Sequence, residues 1–313
     1  MALALAALVL SHLPGDALAR SHHRRRELHG RWPLASTLWQ RLRGHLPGAA
    51  ARRRPRGGPI DARTNIVFYG ETGPGGVGPK SSVWIRNFLG WWKSHDPSIH
   101  YAELKSRDLK RCDLASYPNL KVHIEPGGDA YKQQLALGPQ GKSNLLRFIA
   151  RGGAYVGICA GYYLASEGYA WNGQTYRHPN LLGLTPPVEG PIVSIADYNA
   201  NQYRVTKVGE KLNQVYYGGP KVSNPVAFAA QGLRPLLRFD ELPGKPPAAV
   251  QRGRVLLFST HPEASWQTVE GLSREQMELN YIDFANRINQ AAGTHFKVPE
   301  APRRPLSVVG ADK

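Results

Sequence analysis

The sequence predicts an α/β protein built on a doubly wound, mainly parallel sheet. Two observations carry this. Short buried apolar runs alternate with helical patterns between residues 65 and 292, which puts helices on both faces of one sheet. Two of the runs also end in reactive side chains, Cys159 and His261, and the carboxyl ends of parallel strands line the crevice where ligands bind.

Asn65-Ile66-Val67-Phe68-Tyr69 is the first strand, closed by a Gly/Pro loop. Ile85, Phe88, Leu89 and Trp92 then fall at i, i+3, i+4 and i+7, one face of a helix. Leu120-Lys121-Val122-His123-Ile124 is a second buried strand, and Pro126-Gly127-Gly128 ends it. Ser143 can cap a helix whose inward face includes Leu146, Ile149 and Ala150. The apolar run Ala154-Tyr155-Val156-Gly157-Ile158 follows and delivers Cys159. Val215-Tyr216-Tyr217, Val226-Ala227-Phe228 and Leu236-Leu237-Arg238-Phe239 read as short strands. Ala248-Ala249-Val250 and Val255-Leu256-Leu257-Phe258 flank Arg252-Gly253 as a hairpin. Met277, Tyr281, Phe284 and Ile288 place a last helix on the sheet.

The 313 residues allow one domain of roughly 200–250 residues plus extensions. Two cysteines exclude a disulfide scaffold and a cysteine-built zinc site, and neither metal nor cofactor is expected. The net charge of +17 is uneven. Residues 1–64 hold twelve Arg, no Lys and three acids, a balance of +9; the rest, with 28 basic and 20 acidic groups, carries +8. That mild excess calls for no nucleic-acid partner.

Residues 1–64 are expected to be a targeting or disordered Arg-rich extension. Met1 to Leu10 is apolar, and Ala17-Leu18-Ala19 has the small-x-small form of a signal-peptidase site. The arginines behind it, poor in acids, equally suit an organellar transit peptide, so the secretory pathway or an organelle is the expected destination. The apolar stretch is too short to span a bilayer. Residues 293–313, with Pro299, Pro302 and Pro305, are expected to form a disordered tail.

The chemistry gathers at the strand ends. Gly157-Ile158-Cys159-Ala160-Gly161 has the spacing of a nucleophile elbow, where the chain turns sharply from strand to helix and flanking glycines permit close packing. Cys159 at a helix N-terminus is favoured as thiolate. His261 would take its proton, and Glu263, in His261-Pro262-Glu263, would orient the imidazole. The N–H of Ala160 and those of Gly127 and Gly128 are candidate oxyanion donors.

Pro-Gly-Gly after one strand, elbow spacing after the next and His-x-Glu after a later one together resemble the class I glutamine amidotransferase superfamily. More closely, they resemble the amidotransferase-like N-terminal domain of eukaryotic biotin-protein ligases and its stand-alone relatives. The resemblance covers about residues 65–292 and extends to Phe68-Tyr69-Gly70, Glu125-Pro126-Gly127-Gly128-Asp129, Leu182-Gly183-Leu184, Glu189-Gly190-Pro191 and Tyr216-Tyr217-Gly218-Gly219-Pro220. It implies a flavodoxin-like sheet and a Cys-His-Glu triad at Cys159, His261 and Glu263. One departure matters. Tyr163 stands where glutamine-hydrolysing members usually carry a Gln that helps hold the substrate, so the triad is better supported than glutamine as substrate.

The expected function is a cysteine-dependent amide hydrolase or amidotransferase-like activity on a small amide or peptide-like substrate. The alternative is a catalytically silent binding or regulatory module on the same fold. Cys112, His123 and His178 read as structural, and Tyr216-Tyr217 as core or rim. Gly73-Pro74-Gly75-Gly76-Val77-Gly78-Pro79-Lys80-Ser81 follows a strand and precedes a helix, as a phosphate loop must. Pro79 spoils the Gly-Lys-Ser register and removes an amide donor, so a loop bordering the Cys159 pocket is expected instead.

Overall fold

The computed structural model of the chain describes residues 58–301. Ile66–Tyr69 (β1) is buried at all four positions, as a continuous apolar run covered on both faces should be. Pro79–His95 (α1) starts on a proline, whose missing amide is not needed there, and buries Ile85, Phe88, Leu89 and Trp92. Tyr101–Leu104 (β2) and Ser106–Arg111 (α2) lead to Val122–Glu125 (β3). Ala130–Ala150 (α3), Ala154–Ile158 (β4) and the short Ala160–Ala165 (α4) follow. Next come Tyr169–Trp171 (β5), Gln174–Tyr176 (β6), Val188–Gly190 (β7), Arg204–Val208 (β8) and Leu212–Tyr216 (β9). Lys221–Val222 (β10), Pro225–Ala230 (α5), Arg234–Arg238 (β11), Pro247–Arg252 (β12), Val255–Phe258 (β13) and Arg274–Ala292 (α6) complete the order.

The main sheet has seven strands in the order β11-β12-β13-β4-β3-β1-β2. From β13 to β2 every pairing is parallel; β12 pairs antiparallel with both β11 and β13. Phe258 sits opposite Ile158, so β4 and β13 end at the same edge. A four-stranded sheet, β10-β7-β5-β6, and the β8-β9 hairpin are separate.

Side chains alternate across the strands and sort the helices onto two faces. Ile66, Phe68, Ile124, Val156 and Phe258 join α1 and α6 in one core. Val67, Tyr69, Tyr155 and Leu257 join α2, α3 and α4 in the other. On the first face the Phe88 ring lies 4.7 Å from that of Phe284, 5.3 Å from Tyr281 and 5.6 Å from Trp92. The sheet is therefore doubly wound and flavodoxin-like, as expected.

Four elements differ from expectation. Ser143 lies inside α3 and caps nothing there; the helix starts at Ala130, where the Asp129 carboxylate accepts the Lys132 amide at 3.1 Å. Gly138 (φ 60°, ψ −178°) and Pro139 interrupt that helix, and Leu145 and Phe148, rather than Leu146, are buried with Ile149. Val226-Ala227-Phe228 belongs to α5, because Asn224 caps the Ala227 amide at 3.0 Å and Pro225 opens the helix. Strand β2 escapes the apolar pattern because three of its four residues are only half-buried at a sheet edge. Packing also runs past Ala292. Phe296 meets Trp92 edge-on at 5.7 Å, and the Trp92 indole N–H donates to the Lys297 carbonyl at 3.0 Å. Residues 1–57 of the expected extension and 302–313 of the expected tail lie outside the described residues.

Candidate functional site

Cys159 joins β4 to α4 with φ 51° and ψ −103°, a backbone conformation that costs a residue bearing a Cβ about 1–3 kcal/mol. The amides of Tyr162 and Tyr163 donate to its carbonyl at 3.0 and 3.2 Å, anchoring the turn. α4 can lie against the end of β3 only because residue 161 is glycine: a Cβ there would stand 2.2 Å from the Glu125 carbonyl oxygen.

His261 follows β13, and its amide donates to the Val215 carbonyl at 2.7 Å. Its ring meets Trp84 edge-on at 5.3 Å, and its Nδ1 lies 2.9 Å from Glu263 Oε1, both groups buried. Burial works against a charged ring. The Glu263 carboxylate outweighs it, with a further contribution from the nearby Cys159 thiol, and the His261 pKa is pushed up to about 10. The ring is thus held as imidazolium near neutral pH. Its Nε2 finds no hydrogen-bond partner among the described residues, while the Cys159 thiol donates to the Tyr217 carbonyl at 3.3 Å.

Gly127 stands where Cys159 and His261 converge. A Cβ on it would meet His261 Cε1 at 2.5 Å, Ser81 Oγ at 2.9 Å and the Cys159 Cβ at 3.3 Å. The Gly127 carbonyl accepts the Gly78 amide at 3.0 Å, and the Asp129 amide donates to the Gly76 carbonyl at 2.7 Å. The glycine-rich segment after β1 therefore braces this loop. Those bonds use neither the Gly127 nor the Gly128 N–H, and Ala160 is the first residue of α4, where amides lack intrahelical partners.

A cavity of about 430 Å³ opens beside Cys159. Gly128, Cys159 and Tyr163 line it; Tyr163 donates its hydroxyl to the Gly218 carbonyl at 3.0 Å. Tyr131, Tyr169, Trp171, Tyr176 and Tyr198 add five further rings that the sequence reading did not single out. Four of the five, all but Tyr131, fall between residues 162 and 217, and the density of aromatics in that stretch was the available signal. His123 is buried against Glu125, Nε2 to Oε2 2.9 Å, and Tyr216 is core, donating to the Gly219 carbonyl at 2.8 Å. Among the described residues no group of three or more His, Cys, Asp or Glu is placed to hold a metal ion, and no helix is long and apolar enough to cross a membrane.

Residues 118–178 match the family described as biotin-protein ligase, N terminal. The match includes Gly127, Gly128, Cys159, Ala160 and Tyr163 and stops before His261. An uncharacterized protein of Chlamydia muridarum is 29% identical over 155 residues, 45% of this chain; the chain spans 59% of that relative's length. Among solved structures, a glutamine amidotransferase aligns over 73% of this chain and 99% of its own, with 19% identity and a TM-score of 0.48. A glutamine amidotransferase of Thermotoga maritima aligns over 72% and 84%, with 8% identity and a TM-score of 0.32. The segment that carries Cys159 is thus similar to the N-terminal domain of biotin-protein ligases, and it lies within a doubly wound, mainly parallel sheet.

Proposed function

We propose that the protein is a cysteine-dependent enzyme that cleaves a carbon–nitrogen bond of a small amide or peptide-like substrate. The observation that supports this best is the His261 ring. Glu263 fixes one nitrogen at 2.9 Å, the other is unpartnered, and the Cys159 thiol is close enough to raise its pKa. An imidazolium beside a thiol at the end of a strand favours the thiolate.

In this reading Cys159 Sγ attacks the amide carbonyl carbon, and the oxyanion forms facing the N–H groups of Ala160, Gly127 and Gly128. His261 Nε2 gives its proton to the substrate nitrogen, the C–N bond breaks and the amine leaves, with the acyl group held on Sγ as a thioester. Water then adds while Nε2 takes its proton; the acid departs and the thiolate and imidazolium are restored. Glu263 keeps Nδ1–H turned away from the sulfur throughout.

The test is intact-mass spectrometry of the chain incubated with an amide library. A mass gain equal to an acyl group, absent in Cys159→Ala, supports the reading. No adduct from any amide, together with Cys159 that alkylates no faster than Cys112, overturns it. A silent binding or regulatory module is the second reading. It is favoured by the Sγ contact to the Tyr217 carbonyl at 3.3 Å, which occupies the thiol proton without His261.

A further inference from the structure

The cavity beside Cys159 is walled by rings set steeply to one another. Trp171 and Tyr198 are 5.1 Å apart at 87°, Tyr163 and Trp171 5.7 Å at 69°, and Tyr163 and Tyr169 5.2 Å at 66°. Tyr176 stacks on Tyr169 at 5.1 Å and extends that wall. Edge-to-face contacts lock the rings against each other, so the aromatic lining of the cavity is fixed before any ligand arrives. Of the described residues lining the cavity, only Asp129 carries a full charge, and it is negative.

We infer that the cavity receives an alkylammonium group, so that the amide cleaved at Cys159 belongs to a cationic substrate. The inference rests on the proposed function for the position of the amide and on the cavity alone for the cation. Aromatic faces present negative potential, and several converging faces bind a diffuse cation in preference to a neutral group of the same shape. Two of the lining hydroxyls are already committed as donors, Tyr163 to the Gly218 carbonyl and Tyr176 to Gln174 at 2.9 Å. Asp129 keeps a negative field at the mouth although it has other partners. One oxygen accepts the Lys132 amide at 3.1 Å, and the other lies 3.7 Å from the Lys132 ammonium. That ion pair is half-exposed and weak. Tyr169 and Tyr198 both feel the Asp129 charge: burial foremost, and Asp129 among the charges, raise both phenols, Tyr198 to about 12, so the rings stay neutral.

The test uses choline and its uncharged carbon isostere, 3,3-dimethylbutan-1-ol, titrated into the full chain and followed by calorimetry and tryptophan fluorescence. Choline should bind at least about tenfold more tightly than the isostere. Trp171→Leu should weaken choline binding about tenfold, and Asp129→Asn, which keeps the α3 cap, should weaken it severalfold while leaving the isostere unchanged. Equal affinity for the two probes, or no saturable binding of choline to the unsubstituted chain, overturns the inference whatever the variants do. The titration is repeated on Cys159→Ala, which removes the sulfur and keeps the rings. Retained choline preference there, with no acyl-enzyme on the unsubstituted chain from any amide and Cys159 alkylating no faster than Cys112, would sink the catalytic reading alone. An acyl-enzyme without choline preference would sink the cation alone.

Discussion

Cys159 and Cys112 are both buried, yet their surroundings oppose each other. Burial, with the Asp108 charge behind it, pushes the Cys112 thiol up. Cys159 instead lies beside a ring held protonated near neutral pH and sits at the start of α4. Iodoacetamide near pH 7 should therefore label Cys159 at least about tenfold faster than Cys112, with His261→Ala removing most of the difference, read by peptide mass spectrometry. Gly127→Ala is the complementary test. Its methyl would collide with the His261 ring at 2.5 Å and with Ser81 Oγ at 2.9 Å, and neither is a free surface side chain. Overpacking of this kind costs about 1–3 kcal/mol. Thermal unfolding should show that modest loss, while labelling of Cys159 falls by more than the stability change explains. At this scale much was legible: a cysteine framed by glycines and a His-x-Glu after an apolar run need no coordinates to be noticed. Tyr217 as acceptor of the thiol proton was not legible, since only the fold brings its carbonyl to Cys159.

The chain after α6 shows how an element boundary eludes composition. His295 to Glu300 reads as a polar, proline-bearing exit, yet its backbone is tied at four points, among them the Phe296 amide, which donates to Asn289 Oδ1 at 3.2 Å. Asn289 donates to the Phe296 carbonyl at 2.7 Å, the Lys297 amide to Asp96 at 2.7 Å and the Trp92 indole to the Lys297 carbonyl at 3.0 Å. Ending the chain at Ala292 should cost about 2–4 kcal/mol relative to ending it at Ala301, seen as a lower urea midpoint. Equal midpoints would show that these contacts contribute nothing. The same logic explains α5 and α3. In each the cap, Asn224 or Asp129, decided the start against the apolar pattern around it. By contrast α1 and α6 were legible because each lays a continuous apolar stripe on a sheet face, and a stripe of that length has one interpretation.

Across the whole molecule, two buried acid–histidine pairs link stability to pH. The His261 pKa is raised from about 6.5 unfolded to about 10 folded, so its contribution is complete below about pH 6.5 and is lost as pH rises through 10. Glu125, raised by burial despite His123, also binds its proton more tightly when folded, so it too makes stability fall with rising pH. The thermal midpoint should drop by about 5 °C or more between pH 7 and pH 10, and Glu263→Gln should flatten that slope. A midpoint that rises over the range would remove the buried imidazolium. The sheet order was legible in outline from strand–helix alternation; its antiparallel β11-β12 flank, like the aromatic cavity, required knowing which distant segments meet.

That order has a consequence in time. Cys159, Gly127 and His261 come from the end of β4, the loop after β3 and the turn after β13, so Gly127 lies about thirty residues before Cys159 while His261 lies about a hundred residues after it. β4 can pair with β3, which precedes it closely in the chain, and lead into α4; the histidine arrives only when the last strand docks. In a refolding chain, enhanced thiol reactivity should therefore appear after the bulk of the helical signal has returned, in step with burial of Trp84 against His261. Pulse alkylation during refolding measures that lag. Under the proposed function, a partly folded or truncated copy would carry an ordinary thiol, and the sulfur would become a nucleophile only as the final clasp of the sheet closes.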